Sequence, residues 1–149
     1  MPDVFISYRS DDRGIVEDIV AGLNAEGLTV WWDQGIPPSA QWREMIERRL
    51  RDAKCAVVVW SHNSIDRTRG KWVIQEAEEA DRRNIIVPIV IDDVAAPIGL
   101  RHRQAGDLVD WRGDRQDPRW RAFVASVRAV LEGRQPEVPA YVAPKQKRP

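Results

Sequence analysis

The sequence lacks the features that mark several common classes of protein. Its single cysteine, Cys55, excludes an internal disulfide and a zinc site built from cysteines. Its 23 basic residues balance its 23 acidic residues, so the basic surface of a general nucleic-acid binder is not expected. No apolar run is long enough for a membrane span, and no signal-peptide pattern follows Met1. With 149 residues, we expect a single cytoplasmic domain with no nucleic-acid partner.

Several enzyme motifs are also absent. The chain has neither a G-x-G-x-x-G after its first predicted strand nor a P-loop, which excludes two common nucleotide-binding designs. A phosphoacceptor receiver domain would need an aspartate at the end of the third strand, where the chain has Trp60, Ser61 and His62. His62 and His102 are isolated, and no serine or cysteine has a histidine and an acid at motif spacing. We therefore predict no metal site and no catalytic triad.

Short apolar runs alternate with longer charged segments of helical period. This pattern is typical of a parallel sheet covered by helices on both faces. Strands are predicted at 4–8, 28–32, 55–60, 85–91 and 108–111, and helices near 15–23, 41–52, 71–83 and 118–131. Because such crossovers are right-handed, the economical arrangement is a three-layer, flavodoxin-like α/β fold with five parallel strands in the order 2-1-3-4-5.

The last residues differ in composition from the rest. Residues 133–149 hold four of the ten prolines and few apolar side chains, so they cannot build a core. We expect a folded domain over 1–132 and a flexible Pro-rich tail or linker over 133–149. A linker of this kind would suit a longer protein with a C-terminal sensor domain.

The predicted strand order places a ligand site beyond the carboxyl ends of strands one and three, where the order reverses. The loop after strand one, residues 7–13, carries hydroxyl groups, Tyr8 and two arginines that could hold a phosphate or carboxylate. A polar loop that only caps the next helix would have the same composition.

Trp72 and Glu76 lie four residues apart on the helix after strand three, so they point in the same direction. An indole face can stack on an aromatic ring or a cation, and a carboxylate beside it can stabilise developing positive charge. The alternative is a tryptophan packed at the sheet edge and a solvated Glu76, like Glu78 and Glu79. Composition and spacing leave both open.

A long loop follows the second strand over residues 33–39 and ends near Trp42. Its glycine and adjacent prolines, Pro37 and Pro38, indicate a shaped turn. The loop could close over the site as a lid, or it could be a rigid docking surface that exposes Ile36.

Taken in order, these segments resemble TIR (Toll/interleukin-1 receptor) domains, in particular the bacterial ones. The resemblance covers about residues 2–131. It rests on DVFISY at 3–8, VWWD at 30–33, the W-x-x-x-E pattern from Trp72 to Glu76, and IVPIV at 86–90. The stretch 97–107 is also similar to bacterial members that stand at the front of multidomain proteins.

The resemblance implies the flavodoxin-like sheet and two possible activities. Many TIR domains hydrolyse NAD to nicotinamide and ADP-ribose or a cyclic isomer, as NAD nucleosidases or ADP-ribosyl cyclases, in bacterial defence or signalling. Others are non-catalytic adaptors that assemble through TIR–TIR contacts. A third possibility, nucleotide binding without turnover, uses the same pocket. NAD is the implied substrate, and no cofactor is implied.

The resemblance also assigns site residues. The essential glutamate of the enzymatic members falls on Glu76. The implied substrate-binding residues are Tyr8, Arg9 and Ser10 by the nicotinamide riboside and phosphate, Asp33 at the pocket floor, Ser39 and Trp42 at the closing loop, and Trp72 along the wall. A neighbouring subunit completes the pocket in active members, so self-association is expected. Ala40 stands where some relatives have glycine, which together with the two prolines puts closure of the loop in question.

Overall fold

The computed structural model describes residues 3–34 and 39–135, which form one parallel sheet between two layers of helices. The strands are β1 (Val4–Ser7), β2 (Val30–Trp32), β3 (Cys55–Trp60), β4 (Ile86–Val90) and β5 (Gly106–Asp107). The helices are α1 (Arg13–Ala25), α2 (Ala40–Asp52), α3 (Lys71–Arg82) and α4 (Pro118–Leu131), with short 3₁₀ turns at Ser10–Asp12 and Ile98–Leu100. The strand order β2-β1-β3-β4-β5 confirms the predicted flavodoxin-like α/β fold.

The central strand β3 shows how the sheet divides the core. All of its residues are buried, as expected for a parallel strand covered on both faces. Because successive side chains point to opposite faces, Val57 and Val59 pack with α1 and α4, whereas Ala56 and Val58 pack with α2 and α3. The two apolar layers explain why the strand segments are continuous hydrophobic runs.

Two helices are followed closely by a glycine. Gly27 follows α1 with φ 85°, and Gly133 follows α4 with φ 77°. Both lie in the left-handed region that glycine enters without steric cost, and this conformation turns the chain away from the helix axis.

The predicted position of the fifth strand was wrong. The fifth strand is instead formed by Gly106 and Asp107, which pair with Ile89 and Val90, and at its end Leu108 N donates a 2.9 Å hydrogen bond to Val90 O. The chain then turns, with Val109 N donating to Asp107 Oδ1 at 2.9 Å, and Leu108 and Trp111 enter the core beside α1 and α4. Their apolar character reflects that burial rather than a strand.

The other strand bounds differ slightly from the expected ones. β1 ends at Ser7, β2 begins at Val30, and β4 is one residue shorter at each end than predicted. Most of the predicted tail, residues 136–149, lies outside the described residues. Within the described ranges, no helix is long and apolar enough to cross a membrane.

Candidate functional site

A cleft opens at the carboxyl ends of β1 and β2, bordered by α2 and α3. Its volume is about 320 Å³, near the lower end of the range for small-molecule sites. The lining side chains come from β1 and its following loop, β2, the start of α2, and α3: Phe5, Ile6, Ser7, Tyr8, Arg9, Ser10, Trp31, Asp33, Trp42, Arg43, Ile46, Arg69, Trp72, Val73 and Glu76. A site was expected beyond the carboxyl ends of strands one and three. The cleft lies at the carboxyl end of β1, but among the described residues the loop after β3 contributes only Arg69 to its lining.

Glu76 is the buried carboxylate of this cleft. Its side chain is on the sheet-facing side of α3, and the residue is only 9% exposed. Ser7 Oγ donates a 2.6 Å hydrogen bond to Glu76 Oε1, and Arg43 Nη1 donates a 3.1 Å hydrogen bond to Oε2. The alternative in which Glu76 is solvated like Glu78 is therefore wrong.

Burial and polar contacts act on the charge of Glu76 in opposite directions. Burial raises the pKa of Glu76, while the Ser7 hydrogen bond and the Arg43 charge lower it. The raising effect dominates because water is removed from most of the carboxylate. An ionised carboxylate at the bottom of the cleft therefore lowers the stability of the folded protein.

Replacing Glu76 with glutamine tests this cost. Because burial raises the pKa of Glu76 above its ordinary 4.5, the folded protein holds the proton more tightly than the unfolded chain does. The free energy of unfolding therefore falls as pH rises from about 4.5 through the folded pKa, and the loss is complete above it. Glu76→Gln removes this loss. We therefore expect the free energy of unfolding of the variant, relative to that of the wild type, to rise between pH 4 and pH 8 in urea unfolding.

The matched control is Glu78→Gln, two residues further along α3 on its exposed side. It should show the same pH dependence as the wild type. If the free energy of unfolding of Glu76→Gln relative to the wild type stays constant or falls as pH rises, a raised pKa for Glu76 is contradicted.

Trp72 and Arg43 form a stacked pair at the mouth of the cleft. Trp72 is 42% exposed, and the guanidinium carbon of Arg43 lies 4.0 Å from its ring centroid. Lys71 Nζ lies 5.1 Å from the same ring. The indole face therefore already attracts cations, as its quadrupole predicts.

Tyr8, Asp33 and Trp42 are joined at the opposite wall. The Tyr8 hydroxyl donates to the Asp33 carbonyl oxygen, and Trp42 Nε1 donates to Asp33 Oδ2 at 3.3 Å. Burial, aided by the Asp33 charge, raises the pKa of Tyr8 to about 12, so the phenol stays neutral and remains a donor. These contacts tie the end of β2 to both the β1 loop and α2.

An aromatic stack supports this wall from behind. Phe5 and Trp31 are stacked at 5.4 Å between ring centroids, and Trp31 meets Trp42 at 6.0 Å. Such ring pairs stabilise beyond simple burial of area. They give the first turn of α2 a rigid backing, and that turn carries Arg43.

The remaining predicted residues differ in how closely they approach the cleft. Arg9 and Ser10 line it, and Arg9 Nε also pairs with Asp11 Oδ1 at 3.0 Å. Ser39 is not among the lining residues: it caps α2, and its Oγ accepts from Trp42 N at 3.1 Å. Residues 35–38 of the predicted lid or docking loop lie outside the described residues.

Sequence reasoning missed three residues that the structure brings to the cleft. Ser7 was grouped with the loop and not assigned to Glu76, although a serine ending a buried apolar strand is a usable signal. Arg43 has the spacing of the buried face of α2, since Ile46 and Leu50 follow it at i+3 and i+7. Arg69 belongs to the basic turn before α3, and it also lines the cleft.

Comparison with known proteins agrees with this architecture. A TIR domain family model matches residues 4–132. Similar solved structures include the TIR domain of the Toll-related receptor TRR-2 from Hydra magnipapillata, with 22% identity, a TM-score of 0.67, and coverage of 86% of this chain and 99% of that chain. A metazoan TIR-STING receptor from C. gigas, solved in complex with 2′,3′-cGAMP, has 19% identity and a TM-score of 0.66, covering 83% of this chain and 40% of that one.

A search of curated protein sequences gives no match. At these identities the solved structures bear on the fold alone, whereas the family model spans nearly all of the described chain. On the strength of that match, the chain belongs to the TIR domain family.

Proposed function

We propose that this TIR domain is an NAD glycohydrolase, with Glu76 as its catalytic carboxylate. The observation that carries the proposal is a buried glutamate, held from both oxygens, in a cleft that also presents a half-exposed tryptophan face. The TIR family includes NAD-hydrolysing members whose essential glutamate matches Glu76. We further propose that the protein acts in the cytoplasm, in signalling or bacterial defence.

One carboxylate suffices for this reaction. The bond between ribose C1′ and the nicotinamide nitrogen breaks, and its electron pair leaves with nicotinamide, which departs as a neutral molecule. The ribose becomes an oxocarbenium-like cation, and the fixed anion of Glu76 lowers its energy in a partly dry site. Sugar hydrolases need a second carboxyl group because their leaving group must be protonated.

The product depends on what attacks C1′. Water gives ADP-ribose and releases a proton, whereas a nitrogen of the adenine in the same molecule gives a cyclic isomer. Neither route consumes an oxidant: hydrolysis consumes one water, and cyclisation consumes nothing besides NAD. The residues of the cleft therefore have to bind, orient and stabilise charge.

The rest of the cleft suits the other parts of this substrate. The Trp72 face can stack on the nicotinamide ring, and Arg9 and Arg69 bring positive charge for the pyrophosphate. A cleft of about 320 Å³ accepts the nicotinamide riboside half, so the adenosine half would extend past its mouth. A second copy of the chain could contact that half, which supports activity upon self-assembly.

Nicotinamide release from NAD by the purified chain tests the proposal. We expect release to rise more steeply than protein concentration, and to increase with a crowding agent, because two copies would complete each site. Release that is proportional to concentration would contradict the shared site. Binding of NAD without release at any concentration would instead support a nucleotide-binding domain.

A non-catalytic interaction module is the second candidate. The exposed apolar residues favour it: Ile98 is 72% exposed in the 3₁₀ turn before β5, and Trp72 and Met45 are also exposed. This alternative predicts self-association that is unchanged by Glu76→Gln and no nicotinamide release in any state of assembly.

A further inference from the structure

In the free protein, a cation of the chain itself occupies the part of the cleft between Trp72 and Glu76. The Arg43 guanidinium lies 4.0 Å above the Trp72 ring and 3.1 Å from Glu76 Oε2. Its side chain is only 17% exposed, so it occupies the space between indole and carboxylate rather than the solvent outside.

A guanidinium is a planar, delocalised cation that stacks on aromatic rings and pairs with carboxylates. The nicotinamide ring of the proposed substrate is also planar and positively charged while it is joined to ribose. It would need the same indole face and the same anion. Arg43 and such a ring therefore cannot occupy the site together.

The attachment of Arg43 is limited. Within residues 3–34 and 39–135 its guanidinium makes one side-chain hydrogen bond, to Glu76, and its buried Nε has no hydrogen-bond partner there. A buried donor without a partner is costly, so the bound position is not the best that this group could find. An incoming anionic group would offer it better pairing.

On the basis of the proposed function, we propose that Arg43 determines which ligands enter this cleft. In the free protein its guanidinium occupies the site between Trp72 and Glu76. It is displaced from that site by the cationic ring of a ligand that also carries a phosphate. The displaced guanidinium then pairs with that phosphate.

The selectivity follows from the energetics of the exchange. A ring cation alone would separate Arg43 from Glu76 and leave a partly buried guanidinium without an anion, which is costly. A phosphate restores a charge-assisted pair of the kind that arginine favours. Arg9 and Arg69 on the same lining add to the attraction for that phosphate. The site would thus discriminate a phosphorylated pyridinium nucleotide from the same ring without phosphate.

The test uses two probes that the protein cannot cleave: 1-methylnicotinamide as the ring cation and inorganic pyrophosphate as the anion. Both are titrated into ¹⁵N-labelled protein while the Trp72 indole N–H signal is followed by NMR. The variants are Arg43→Met and, as a control, Arg48→Met on the exposed side of the same helix. Titrations are run over a range of pH and compared at the high-pH plateau, because Arg43 lowers the pKa of Glu76 and its loss favours the protonated carboxyl group.

We expect 1-methylnicotinamide to bind Arg43→Met roughly tenfold more tightly than the wild type or Arg48→Met, as for a partly desolvated cation–ring contact. Pyrophosphate should strengthen this binding in the wild type and in Arg48→Met, and should do so much less in Arg43→Met, where only Arg9 and Arg69 remain to attract it.

Equal or weaker binding by a folded Arg43→Met protein would overturn the proposal, because Arg43 would then support the site rather than compete for it. A pyrophosphate effect of equal size in Arg43→Met would overturn the exchange of partners, and so would an absence of binding to every variant. Since neither probe is cleaved, these results are separate from the presence or absence of nicotinamide release.

Discussion

Glu76→Gln is expected to lower the rate of nicotinamide release by at least about 10²- to 10³-fold, the loss typical when one preorganised electrostatic group is removed from a reacting centre. The amide keeps the shape of the side chain and can still accept from Ser7 Oγ. It carries no charge, so the cation that forms on ribose loses its stabilising anion. The loss should appear mainly in kcat, because the charge matters most in the transition state.

Two controls make the result specific. Glu78→Gln removes a carboxylate from the exposed side of the same helix and should retain wild-type release. Urea unfolding should show that Glu76→Gln is still folded at the assay pH and that its stability relative to the wild type rises with pH, since burial penalises the charged form of Glu76. Substantial release by a folded Glu76→Gln protein would remove Glu76 from the mechanism, and with it the proposed chemistry.

Trp120→Ala is expected to lower the free energy of unfolding by about 3–5 kcal/mol, the usual cost of emptying a large aromatic site in a core. Trp120 is fully buried, and its ring is stacked on Trp111 at 4.4 Å between centroids and tilted against Phe123 at 5.3 Å. It also covers Gly22 of α1 so closely that a Cβ there would lie 2.5 Å from the ring. The surrounding structure relaxes only partly into such a space, so most of the cavity remains.

Trp72→Ala is the matched comparison, since the same residue type is removed from an exposed position. It should cost about 1 kcal/mol or less in urea unfolding, as for most partly exposed positions. If the proposed function is correct, it should also impair nicotinamide release, whereas Trp120→Ala should affect release only through loss of folded protein. Equal unfolding costs for the two variants would contradict the packing described for α1 and α4.

The fold could be predicted well because its signals are local. The continuous apolar run of β3 and the helical spacing of apolar residues in α2 and α3 indicate which of their own residues are buried. The glycines after α1 and α4 mark the ends of those helices. Right-handed crossovers then leave few arrangements of five strands. The error at β5 has a local cause too: Leu108 and Trp111 are apolar because they enter the core, and apolar character alone does not distinguish that burial from a strand.

The site was predicted only in part, for a related reason. Helical period places Trp72 and Glu76 on one side of α3, so their proximity is a property of one segment. Nothing in one segment indicates that Ser7 and Arg43, which lie 69 and 33 residues away in sequence, contact the same carboxylate. Three-dimensional packing was required to find those partners.

By itself, the sequence determined the α/β class, the strand order and the segment that carries the Trp72 and Glu76 pair, because these depend on periodicity and on rules of chain connection. Only the tertiary structure decided that Glu76 is buried, that Ser7 and Arg43 hold its two oxygens, and that Arg43 stacks on Trp72. The physical reason is that burial and charge pairing depend on which side chains from other segments lie within a few ångströms. The residue pattern of a single segment does not indicate those neighbours.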